Sequence, residues 1–153
     1  MSVFPKDLSA EVRRLLPLLK KRLAYYSKVK TVEVGVNDTY GDYADHVPET
    51  GIIFPLCMKI MREGTFATGE TVTVEITFVY DNGETNVKEF SFTTTGSNYL
   101  HACHYIDWNG LSYDRKAIVK IRCRAKSNQS STSVTVKVHI MGIMSVSYTH
   151  LTL

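Results

Sequence analysis

The hydrophobic period of this chain changes once, near residue 30, and that change limits the fold more than any other feature. Before it, Leu8, Val12, Leu15, Leu16, Leu19, Leu23 and Tyr26 recur at i, i+4, i+7, i+8 spacing, which predicts an amphipathic α-helical segment over residues 7–28. Arg13, Arg14, Lys20, Lys21 and Arg22 fall largely off that stripe, and Pro17 either kinks the segment or divides it in two. After Lys30 the period is 2. Thr31–Val36 reads as a strand, and residues 37–49 as a polar loop. Gly51–Met61 reads as a mostly apolar strand in which Pro55 requires an edge or a bulge.

Thr71–Tyr80 alternates cleanly, with Val72, Val74, Ile76, Phe78 and Tyr80 on one face. Asp81-Asn82-Gly83-Glu84 is a turn signal, and Phe90 and Phe92 alternate in the returning strand, so a hairpin is expected here. Tyr99–Ile106 follows as a strand, then Asp107-Trp108-Asn109-Gly110 as a second turn. Ala117, Val119, Ile121, Cys123 and Ala125 line one face of the next strand. Val134, Val136, Val138 and Ile140 line one face of the last, across the polar turn Ser127–Thr132, which predicts a C-terminal hairpin. Seven strands without intervening helices predict a mainly β protein, an antiparallel β-sandwich of jelly-roll-like or immunoglobulin-like form with an N-terminal α-helical segment. The expected organisation is a basic amphipathic helix over 1–30 and a sandwich domain over 31–144.

At 153 residues, 44% hydrophobic and 22% charged, the chain is long enough for one well-packed soluble domain. No apolar run approaches the roughly 18 residues of a membrane span, and Met1–Pro5 lacks the pattern of a cleaved export signal. With three cysteines, an odd number, reduced thiols are expected, and with them a cytoplasmic location in the producing cell, or a place in a virion.

The charge is arranged in blocks. Residues 1–30 hold eight Lys/Arg against two acids, 31–114 three against thirteen, and 115–153 seven against none. Such blocks pair within the fold, pair between subunits, or leave a basic surface for an anionic partner. Lys120, Arg122, Arg124 and Lys126 sit at alternate positions and so leave one face of one strand; in the expected hairpin Lys137 and His139 extend the same strip. These five Lys and Arg residues form the candidate site for phosphates, nucleic acid or an acidic protein surface. Asp38, Tyr40, Asp42 and Tyr43, in the 37–49 loop, are a candidate recognition loop, since long loops on rigid sandwiches carry binding and Tyr gives contact area at low entropic cost.

Chemistry has weaker support. His101, Cys103 and His104 have zinc-type ligand atoms, but on a strand His104 points away from the other two and no second ligand pair completes a set. No nucleophile elbow, phosphate loop, zinc-protease helix or dinucleotide fingerprint occurs. No catalytic residue, metal or cofactor is expected.

The last residues, Ser145 to Leu153, continue no pattern. SVSYTHLTL resembles the conceptual translation of a transposon-end adapter used in sequencing libraries, and one reading frame of that DNA gives the string from Val146 onward without a mismatch. The native chain is therefore expected to stop near Met144, with Tyr148 and His150 carrying no function. Two roles fit the remainder. One is a non-catalytic structural or assembly protein, such as a virion or appendage component, homo-oligomeric through charge-complementary contacts. The other is a binding module for an anionic ligand: nucleic acid, nucleotide or acidic glycan.

Overall fold

The computed structural model describes residues 23–48, 51–94, 98–106 and 117–145. They form β1 (Leu23–Val32), β2 (Val34–Gly35), β3 (Ala44–His46), β4 (Ile53–Phe66), β5 (Thr71–Tyr80), β6 (Thr85–Thr93), β7 (Asn98–Tyr105), β8 (Ile118–Ser127) and β9 (Thr135–Ser145). One layer has the order β1-β9-β4-β7 and the other β3-β8-β5-β6. The layers are hydrogen-bonded to each other at one pair, Ile53 with Ile118. Every pairing is antiparallel except that of the two-residue β2 with β8. The mainly β, antiparallel expectation is met.

Alternation decides which faces meet. Val72, Val74, Ile76 and Phe78 of β5 are wholly buried, as are Ile121, Cys123 and Ala125 of β8 and Val136, Val138 and Ile140 of β9. All belong to one core shared by the two layers. Each such aliphatic side chain contributes roughly 1.5–3 kcal/mol on leaving water, so slipping any of these strands by one residue forfeits several of them at once. The β5–β6 hairpin forms as expected: Gly83 takes a positive φ of 86° and its N–H donates to the Tyr80 carbonyl at 3.0 Å. Pro55 sits at a register shift between Pro55 and Cys57, so β4 absorbs its missing donor in a bulge while remaining an interior strand.

Two expectations are corrected. The predicted helical segment lies outside the described residues as far as residue 22, and its last part, residues 23–28, is strand; no described residue is helical. Here β9 supplies a register partner to every residue from Leu23 to Val32, and the buried Tyr26 and Val32 fit the strand period. Ten paired residues outweigh a local helical preference. The second correction concerns the C-terminal hairpin, which does not form. β8 pairs with β5 and β3, whereas β9 pairs with β1 and β4 in the opposite layer. The Ser127–Thr132 segment is a crossover, fastened by buried Glu70, which accepts from Ser127 Oγ and Thr132 Oγ1 at 2.6 Å each and from the Ala67 N–H at 2.9 Å. Burial opposes the Glu70 charge, but these three donors outweigh it and hold the carboxyl below its usual range. Loop 37–49 also contains a strand, β3, which sequence periodicity did not suggest.

A histidine bridges the layers at each lateral edge. His104 of β7 meets the rings of Phe90 and Phe92 of β6, with centroids 5.4 and 5.5 Å away. His46 of β3 is fully buried between Tyr26 of β1 and the Val138 carbonyl of β9. That carbonyl can only accept, so His46 Nε2 carries the proton and Nδ1 accepts from the Tyr26 hydroxyl at 2.8 Å. Burial, with smaller contributions from Lys30, His139 and Lys28, pushes the imidazole pKa down from 6.5 to about 4. A histidine held neutral stabilises the fold above its unfolded pKa, and that contribution is lost as pH falls through 6.5 towards 4. Chemical denaturation is therefore expected to show stability falling by up to about 3 kcal/mol between pH 7 and pH 4.5. The His46→Gln protein should be weaker at pH 7 and flatter over that range; a wild-type profile as flat as the variant's contradicts the assignment.

Candidate functional site

The outer face of β3-β8-β5-β6 carries the basic strip. Lys120, Arg122, Arg124 and Lys126 leave that face at alternate positions of β8, as read from the sequence, because Ile121, Cys123, Ala125 and Ser127 are buried on the other side. Lys137 does not join them; it is exposed on β9, in the opposite layer.

The candidate loop folds onto this strip. Asn37 and Asp38 adopt left-handed backbone (φ 55° and 59°), and their N–H groups donate to the carbonyls of Gln129 and Ser127 at 2.7 and 2.8 Å. The Gly41 N–H donates to Ala125, and a side chain at Gly35 would collide with the Thr39 carbonyl, so the loop is pressed against β8. Arg122 Nε then donates to Asp45 at 3.1 Å, and Lys126 Nζ lies 3.1 Å from Asp38. Arg124 donates twice to Glu75, at 2.8 and 3.2 Å. Above them lie two rings: Arg122 is 3.8 Å from the Tyr43 centroid, and Arg124 and Lys126 are 4.3 and 4.8 Å from that of Tyr40. The hydrogen bond it donates to Glu75 is the main reason the Arg124 guanidinium is held more firmly protonated. Burial first, then Glu89 and Glu75, push the Tyr40 phenol up to about 12, so it stays neutral. Asp42 takes part through its backbone N–H, which donates to Glu33 at 3.1 Å.

The two sites singled out separately in the sequence thus meet. Three of the five candidate cations have a carboxylate partner within the chain, while Lys120 and Lys137 have none among the described residues.

The other outer face differs. The register of β1-β9-β4-β7 aligns Tyr25, Ile143 and Phe54 in one row, Val29, His139, Lys59 and Tyr105 in another, and Thr31, Lys137, Met61 and Cys103 in a third. Leu23, Tyr25, Val29, Phe54, Leu56, Tyr99 and Tyr105 are between 47% and 67% exposed, so seven of the eleven large exposed hydrophobic residues described share this face. Such clustering marks contact surfaces on soluble proteins. Sequence reading missed it because the residues come from three strands whose register only the fold reveals. A hollow of about 300 Å³ lies among them, lined by Val29, Met61, His101 and Lys137.

His101 and Cys103 lie exposed on this face and His104 points inward, as the strand period requires. No three His, Cys, Asp or Glu side chains converge to hold a metal among the described residues. Cys123 is buried, and burial raises its thiol to about 12. No helix among the described residues is long and apolar enough to cross a membrane.

No protein-family model matches the chain, and no curated protein matches it. Among solved structures, the crystal structure of the infectious bursal disease virus VP2 subviral particle is similar at 13% identity and a TM-score of 0.38. The match covers 78% of this chain and 33% of that one. So distant a likeness establishes no kinship, and this chain spans about a third of that chain's length.

If the carboxylates mask the strip, removing them exposes it. The triple variant Asp38→Asn, Asp45→Asn, Glu75→Gln should elute from a heparin column at clearly higher salt than wild type, while Arg122→Gln with Arg124→Gln changes wild-type elution little. Equal elution of the triple variant and wild type would contradict the masking.

Proposed function

We propose that this chain is a non-catalytic structural or assembly protein built on a jelly roll, and that the outer face of β1-β9-β4-β7 is where copies meet. The strand pairs support the jelly roll over the immunoglobulin form. β1 with β9, β3 with β8, β4 with β7 and β5 with β6 are nested pairs, as in one long hairpin with its tip at Asn82-Gly83 rolled into two layers. The observation that carries the assembly reading is the one-sided exposure. One outer face pairs three of its four strip cations with carboxylates of the chain, and the other leaves seven large apolar side chains in water. A virion or appendage shell is the role such a subunit fits.

A second reading has one specific support. Lys30, Lys59 and Lys137 lie in the β1-β9-β4-β7 layer without a carboxylate partner among the described residues, which suits an acidic surface of a neighbouring copy or an anionic ligand such as nucleic acid.

Light scattering across a concentration series tests the proposal. Wild type should self-associate. Tyr99→Ala with Tyr105→Ala should raise the dissociation constant by about 100-fold or more, because buried aromatic anchors each cost roughly 2 kcal/mol on truncation. The melting temperature should barely move, as both rings are 64% exposed. A wild-type monomer at every concentration overturns the assembly reading. A monomer stabilised by oligonucleotides favours the anionic ligand instead.

A further inference from the structure

Among the described residues each layer ends in two edge strands, and three of those four edges carry features that keep a sheet edge from pairing. β1 holds Lys28 and Lys30, β6 holds Lys88 and Glu89, and β3 is only three residues long. β7 has none of these features. All eight of its residues pair with β4 on one side, and none is Lys, Arg, Asp, Glu, Gly or Pro. Its other side has no strand partner among the described residues. In an antiparallel ladder every second residue turns both its N–H and its carbonyl away from the strand it pairs with, so an edge of this length offers a row of backbone groups to a further strand. We propose that β7 pairs antiparallel with β7 of a second copy about a two-fold axis at Ala102, a contact that rests on the assembly reading and extends it from the face of the layer to its edge.

The order of residues selects that occupant. Tyr99-Leu100-His101-Ala102-Cys103-His104-Tyr105 reads nearly alike in both directions about Ala102. Antiparallel pairing on this axis sets Tyr99 opposite the partner's Tyr105, His101 opposite the partner's Cys103 and Leu100 opposite the partner's His104. Opposed residues must lie on the same side of a sheet, and the alternation agrees. Tyr99, His101, Cys103 and Tyr105 are exposed on the outer face, whereas Leu100, Ala102 and His104 are half-buried on the inner one. The symmetry repeats every contact, so two cross-strand tyrosine pairs form, and aromatic pairs of this kind stabilise antiparallel strands. One ring of each pair is already held, since the Tyr99 hydroxyl donates to Glu63 at 2.8 Å. No Lys, Arg, Asp or Glu of β7 stands in the seam to repel its copy. The outer faces of the two copies then become one continuous surface with the tyrosines at its centre.

Hydrogen–deuterium exchange of the full chain at low and high concentration reads the pairing. Amides of Tyr99–Tyr105 should exchange about tenfold or more slowly in the concentrated sample, with those of β1 and β6 unchanged. A charge swap reads the axis. His101→Lys with Cys103→Glu sets opposite charges across the seam and should keep the dissociation constant within about threefold of wild type, whereas His101→Lys with Cys103→Lys sets like charges there and should raise it about tenfold or more. Both positions are exposed, and circular dichroism verifies that the β fold is retained. Equal weakening by the two variants overturns the proposal. Protection of β7 that is already complete at the lowest concentration also overturns it, because it assigns the edge to another part of the same chain. Self-association that leaves the β7 amides fast overturns the edge pairing while the face contact stands. Slow β7 amides, with Tyr25 and Phe54 as open to hydroxyl radicals as in dilute protein, do the reverse.

Discussion

The pairing of the first described strand with the last is the constraint on which the rest depends. β9 lies between β1 and β4, and each of the ten residues of β1 has a partner on it. That pairing is the outermost of the nested pairs, and without it β1 loses its one strand partner among the described residues. It also buries Tyr26, which is the reason His46 can bridge the layers as a neutral imidazole. And it assembles the outer face: Tyr25, Ile143 and Phe54 become neighbours because β1 and β4 flank β9 in this register.

The two outer faces resolve the same problem in opposite ways. On β3-β8-β5-β6 Arg122, Arg124 and Lys126 of β8 meet acids from three other segments, Asp45, Glu75 and Asp38, beneath two tyrosine rings. These pairs are partly exposed, so each contributes at most about 1 kcal/mol to stability, and Lys120 is left without a carboxylate partner among the described residues. On β1-β9-β4-β7 the Tyr99 hydroxyl donates to Glu63 at 2.8 Å, but the other large exposed side chains of the face are apolar or have no acid partner among the described residues. A face that costs solubility when bare is retained where something covers it.

The sequence reveals those parts of this arrangement that are local. The alternation in β5, β8 and β9, the Asn82-Gly83 turn and the bulge at Pro55 depend on a few consecutive residues, and all appear as expected. The alternate cations of β8 were legible for the same reason. Their neutralisation was not, since Asp38 and Glu75 are 88 and 49 positions from Lys126 and Arg124 in sequence. Residues 23–28 misled because Leu23 and Tyr26 fit the helical stripe as well as the strand that β9 enforces. The C-terminal hairpin misled because a polar segment between two alternating runs looks alike whether the chain turns back or crosses between layers. Buried Glu70, 57 and 62 positions before the two hydroxyls it binds, holds that crossover in place together with the backbone N–H groups of Asn37 and Asp38.

Side-chain footprinting with hydroxyl radicals, compared between dilute and concentrated protein, tests the central contrast between the two faces most directly. Tyr99, Tyr105 and Met61 should lose reactivity on concentration while Tyr40 and Tyr43, seated on the β8 cations, keep theirs. Protection of Tyr40 and Tyr43 with Tyr99 and Tyr105 unchanged would contradict it.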